Sequence, residues 1–71
     1  MSALSISVAV NGHTRELPRS TTVAQLLAQL DTAGKRVAVE RNGEIVPKSQ
    51  HTLTELSSGD QLEIVIAVGG G

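Results

Sequence analysis

The chain closes on Gly69-Gly70-Gly71, directly behind the apolar run Ile64-Val65-Ile66-Ala67-Val68. No other part of it holds comparable potential for chemistry. Glycine lacks Cβ, so a glycine arm can run extended, adopt unusual backbone angles and pass through a narrow channel. The Gly71 carbonyl has no bulky neighbour to hinder attack at carbon. A carboxylate is a poor acyl donor. Adenylated by an ATP-using partner, it would gain a good leaving group and could accept sulfur or an amine. Taken alone, such an end also fits a frayed terminus.

Other candidates are weaker. His13 and His51 are far apart and have no cysteine near them, a poor basis for a metal site. Both read as solvated side chains. Ser57-Ser58 and Thr21-Thr22 lack the base that a nucleophilic hydroxyl needs, and read as turn and cap residues. Asn42-Gly43 and Ser58-Gly59 lack the glycine spacing and following Lys-Ser/Thr of a phosphate loop, so ATP is not expected to bind here.

Composition narrows the function classes. Six Lys and Arg face seven Asp and Glu, and the charges are scattered. Without a basic stripe or any aromatic ring to stack on a base, nucleic-acid binding is not expected. Zero cysteines exclude disulfides and thiolate chemistry and fit a reducing compartment. No apolar run approaches the roughly 20 residues of a membrane span, and no signal peptide is evident, so a cytoplasmic protein is expected. At 71 residues the chain suits one small domain. A domain near that size buries only about 60% of its unfolded surface, leaving little room to enclose a substrate. Recognition by larger partners is the better expectation.

The scaffold that would present the tail can be read from periodicity. Leu4, Ile6, Val8 and Val10 alternate as one face of a strand, and Asn11-Gly12 suits a type I′ turn into a returning strand, His13 to Leu17. Thr22 and Gln25 form a capping box. Val23, Leu26, Leu27 and Leu30 give the apolar stripe of a helix expected from Val23 to about Thr32, with Gly34 as its left-handed terminator. Arg36 to Arg41 reads as a strand with Val37 and Val39 inward and Arg36 and Glu40, with Ala38, outward. Asn42-Gly43 turns it into Glu44-Ile45-Val46, which Pro47 stops. A connection comes next, with one helical turn expected near Thr54 to Leu56. Ser58-Gly59-Asp60 turns into a last strand, Gln61 to Val68, with Leu62, Ile64, Ile66 and Val68 on its inner face.

One helix with one apolar stripe suits one face of a mixed sheet. The expected class is α+β: a β-grasp, ubiquitin-like sheet of four to five strands crossed by one main helix. Residues 1–68 would form the single domain and 69–71 a flexible tail. The outer face of the last strand carries Val65 and Ala67 beside Glu63. These are either incidental exposed apolar surface or a partner-docking patch beside the tail.

The sequence resembles the ThiS family, the sulfur carrier proteins of thiamine thiazole biosynthesis. The likeness rests on the Thr22-Val23-Ala24-Gln25-Leu26-Leu27 helix start. It rests also on the stretch from Val37-Ala38-Val39-Glu40-Arg41-Asn42-Gly43 through Glu44-Ile45-Val46-Pro47-Lys48-Ser49-Gln50-His51. The third element is Gly59-Asp60 leading through the final strand to the glycines. Lys48 stands where arginine is common, and Met1 to about Ser5 extend the usual start. The resemblance implies a protein substrate, not an enzyme. An E1-like adenylyltransferase (ThiF-like) would use ATP and Mg to adenylate Gly71, with Gly69 and Gly70 completing the tail in the partner's tunnel. Sulfur drawn from a donor system such as a cysteine desulfurase would make a thiocarboxylate, and a ThiG-like thiazole synthase would consume it. The alternatives are a carrier for molybdopterin synthesis and a ubiquitin-like modifier conjugated through Gly71.

Overall fold

Both Asn-Gly pairs turn the chain as their sequence predicts. Asn11 and Gly12 take φ of 51° and 85°, and Asn42 and Gly43 take 53° and 87°. Two successive left-handed residues give the type I′ geometry whose twist matches the flanking strands, and glycine occupies the second position without a Cβ penalty. The computed structural model describes residues 4–32 and 35–67. Strand β1 (Ser5–Val10) returns as β2 (His13–Pro18), paired from Val10↔His13 to Ser5↔Pro18. Strand β3 (Arg36–Arg41) returns as the two-residue β4 (Glu44–Ile45). Val46, expected in that strand, lies just past it, its N–H still donating to the Val39 carbonyl at 2.9 Å.

The last strand, β5 (Gln61–Ala67), lies between the two hairpins. It pairs parallel with β1 through Ala9↔Gln61 and Val10↔Leu62, and antiparallel with β3 from Arg41↔Leu62 to Arg36↔Ala67. The order β2-β1-β5-β3-β4 is a five-stranded mixed sheet, the β-grasp arrangement.

Helix α1 (Val23–Gln29) opens with the capping box: Thr22 Oγ1 accepts from the Gln25 N–H, and Gln25 Oε1 accepts from the Thr22 N–H. It ends earlier than its apolar stripe suggests. Leu30 is its C-cap, Asp31 reverses the chain at φ 59°, and Thr32 Oγ1 donates to the Leu27 carbonyl at 2.9 Å. These groups satisfy the terminal carbonyls within the stretch expected to continue the helix. Gly34, the expected terminator, lies outside the described residues.

The core joins Val8, Val10 and Leu17 of the first hairpin, Val23, Leu26 and Leu27 of the helix, and Val39, Leu62 and Ile64 of the central strands. Leu56 completes it from the connection. That residue is held extended, not helical: its N–H donates to the Thr21 carbonyl at 2.8 Å, and Thr22 bridges Glu55. The single helical turn of the connection falls instead at Lys48–Gln50, a 3-10 turn begun by Pro47. One other expectation is corrected: Leu4 precedes β1 and is 82% exposed. Ile66 lies on the inner face as expected, opposite Val37, and at the end of the sheet is 39% exposed.

Where so small a core meets its loops, one carboxylate fastens several segments. Asp60 accepts hydrogen bonds from Arg41 Nε at 2.8 Å, Asn42 Nδ2 at 3.1 Å and the Ser57 N–H at 2.8 Å. Asn42 Oδ1 in turn accepts from the Gln61 N–H at 2.9 Å. Burial pushes the Asp60 carboxyl upward, but the bonds from Ser57, Asn42 and Arg41 and the Arg41 charge together outweigh it and hold the group below its ordinary value. A depressed carboxylate contributes stability in full above its unfolded value of about 3.9, and that contribution is lost as pH falls through the lower folded value. Asp60→Asn should therefore lose roughly 1–3 kcal/mol at neutral pH in urea unfolding. The gap to the parent chain should narrow below about pH 4. A gap unchanged down to strongly acidic pH would contradict this role.

Candidate functional site

The Gly69-Gly70-Gly71 arm and Val68 lie outside the described residues, so the site is built from the strand that leads to them. Strand β5 is held on both sides. Along β3 it is paired through to Ala67. Along the other side β1 accompanies it only as far as Leu62, after which Asn11 takes over. The Asn11 side chain accepts from the Ile64 N–H at 2.7 Å and donates to the Ile64 carbonyl at 3.1 Å. It thus mimics a strand neighbour where β1 has turned away. Asn11 reads from sequence as a turn residue only; a side-chain amide able to pair with a backbone amide was the available signal. The last described residue of the strand, Ala67, pairs with Arg36.

The outer face beside that exit carries the expected patch. Val65 is 64% exposed and Ala67 is exposed. Register places Ala38 across from Val65, Arg36 across from Ala67 and Glu40 across from Glu63. Ile45, 63% exposed, pairs with Glu40 and extends the same face, a residue read from sequence only as part of a strand. The described outer face is therefore small and apolar around Val65, with Arg36 and two carboxylates at its margins.

The remaining polar candidates have structural partners. His51, expected to be solvated, is buried, and its Nε2–H donates to the Val46 carbonyl at 3.1 Å. This pins the 3-10 turn to the end of the second hairpin. His13 is exposed on β2. Thr21 Oγ1 donates to the Pro18 carbonyl, and Ser58 Oγ accepts from the Ser7 N–H. Among the described residues no three His, Cys, Asp or Glu side chains gather closely enough to hold a metal ion, and no helix is long and apolar enough to cross a membrane.

Comparison with known proteins agrees with this architecture. The ThiS family model matches residues 8–71. The chain belongs to the ThiS family. Its likeness to the sulfur carrier protein ThiS of Bacillus subtilis is 46% identity over 50 residues, 70% of this chain and 76% of that protein. The solved structure of a ThiS thiamine biosynthesis protein from Geobacter metallireducens superposes with a TM-score of 0.77 at 32% identity, covering 93% of this chain and all of that one. A thiazole synthase of Paramagnetospirillum magneticum is 46% identical over 66 residues, but the chain spans only 20% of that protein's length. The ThiS match extends through Gly69, Gly70 and Gly71.

Two substitutions separate scaffold from surface. Leu26→Ala, at a position with no exposure, should cost about 2–5 kcal/mol in chemical denaturation. Val65→Ala should stay within about 0.5 kcal/mol of the parent. Comparable losses for the two would mean that Val65 supports the fold and is not surface held ready for contact.

Proposed function

We propose that this protein is a sulfur carrier for thiamine thiazole synthesis, acting as a substrate of its partners and not as a catalyst. The observation that carries the reading is the family match running from the first strand through Gly71. The resemblance to a ThiS sulfur carrier and, in part, to a thiazole synthase supports the same pathway over the molybdopterin alternative.

In this reading a Gly71 carboxylate oxygen attacks the α-phosphorus of ATP in a ThiF-like adenylyltransferase and displaces pyrophosphate, with Mg neutralising the phosphates. The outer sulfur of a persulfide from a cysteine desulfurase system then attacks the acyl carbon and displaces AMP, giving an acyl disulfide. A thiol attacks the sulfur remote from the acyl group, forms a disulfide with it and releases the thiocarboxylate. The resulting thiocarboxylate is delivered to a ThiG-like thiazole synthase. The chain's own contribution is presentation. Gly69, Gly70 and Gly71 carry no side chain to obstruct a tunnel, and β5 supplies a firm base for them. Val65 and Ala67, with Ala38 and Ile45 beside them, meet the partner's surface around the tunnel mouth. The absence of cysteine is compatible with sulfur carried on a main-chain carbonyl carbon.

Reconstitution tests this. With its cognate adenylyltransferase, ATP and Mg, the full chain should release pyrophosphate, and a chain lacking Gly70 and Gly71 should release none. The two should melt within a few degrees of each other, because among the described residues the buried core reaches no further than Ile64. Pyrophosphate release undiminished by the deletion would overturn the assignment of Gly71. A truncated chain that no longer folds would overturn the division between scaffold and arm.

A further inference from the structure

Half of the chain's six Lys and Arg residues gather at one place. Lys35, Arg36 and Lys48 rim a cleft of about 520 Å³ whose floor includes Leu27, Val37 and His51. Three parts of the fold build it: the end of α1, the start of β3 and the 3-10 turn. The three cationic side chains are exposed, while His51 is committed by its Nε2–H to the Val46 carbonyl. Among the described residues the one ion pair joins Arg41 to Asp60, at the other end of β3, and Lys35, Arg36 and Lys48 take part in none. A chain of net charge −1 thus gathers three of its cations around a single concavity.

The location ties this charge to the tail. Arg36 pairs with Ala67, the last residue of β5, and is shared between the cleft and the outer face that carries Val65. Any protein that receives the arm must bring the mouth of its tunnel against this corner. We infer that the Lys35–Arg36–Lys48 cleft receives acidic side chains of the adenylyltransferase, at the rim of the tunnel that takes the glycine arm. This rests on the carrier reading above and adds the chemistry of the contact. A recess with an apolar floor and a cationic rim partly desolvates an incoming carboxylate, which strengthens its pairing relative to a flat, fully wetted surface. Charges at an interface rim act chiefly on the rate of encounter and on its dependence on salt.

The test is direct binding of the full-length chain to its cognate adenylyltransferase by calorimetry, repeated over a series of salt concentrations, with pyrophosphate release measured separately. Lys35→Glu/Lys48→Glu should raise the dissociation constant at low salt by roughly tenfold or more and flatten its salt dependence. Lys35→Arg/Lys48→Arg should bind much as the parent does. Thermal melting of both variants checks that the fold is kept; should the double glutamate variant melt early, Lys48→Gln replaces it and should show a smaller loss of the same kind. Unchanged affinity and salt response in a folded glutamate or glutamine variant would overturn the inference. So would ATP alone shifting the Lys35, Lys48 and His51 amide resonances, which would make the cleft a nucleotide site. A parent that binds through the cleft without releasing pyrophosphate would overturn the carrier reading and leave the cleft assignment standing. A parent that does not bind would overturn both.

Discussion

Everything in this molecule depends on where its last strand lies. Strand β5 is central in the sheet, parallel to β1 on one side and antiparallel to β3 on the other. Central placement lets its inner residues, Leu62 and Ile64, seal the core against the helix. It also means that the last described strand is paired on both sides. A reactive end on an edge strand would move with that strand's fraying, because edges and termini open at the least free-energy cost. Here main-chain bonds to β3 fix the base of the arm as far as Ala67.

A core without a single aromatic side chain has little apolar area with which to hold that strand in place. Polar clamps make up part of the difference. Asp60 joins the β3–β4 turn to the entrance of β5, and Asn11 supplies the neighbour that β1 ceases to provide. Asp60 is a buried carboxylate whose bonds to Arg41, Asn42 and the Ser57 N–H satisfy it, the arrangement in which buried polarity stabilises a fold, and Asn11 bonds both backbone groups of Ile64. One acts at the entrance of β5 and the other at its middle, so each point is fixed independently of the hydrophobic contacts.

Much of this was legible in the residues. The Asn-Gly turns, the Thr22–Gln25 capping box and the alternation of the strands are local signals, and local signals set local geometry. The candidate docking residues Val65 and Ala67 came from alternation in β5, and both are exposed. The features that were not legible depend on contacts distant in sequence or on a closure that periodicity does not show. The helix stops at Gln29 because Asp31 and Thr32 close it, although the apolar stripe continues to Leu30. Leu56 stays extended because Thr21 and Thr22 pair with its segment. His51 is buried because the 3-10 turn folds it onto Val46. The cationic cleft is likewise a product of tertiary structure: Lys48 stands well apart in sequence from Lys35 and Arg36, and only the fold unites them.

The central claim is that a rigid, catalytically inert scaffold presents one reactive carbonyl at Gly71. Intact-mass measurement of the chain isolated from its native host, under conditions that preserve acyl-sulfur bonds, tests that most directly. The account predicts a population heavier by the replacement of one oxygen with sulfur, with fragmentation placing the change at Gly71. Covalent attachment of the chain to lysines of other proteins, or sulfur carried anywhere but the terminal residue, would contradict it.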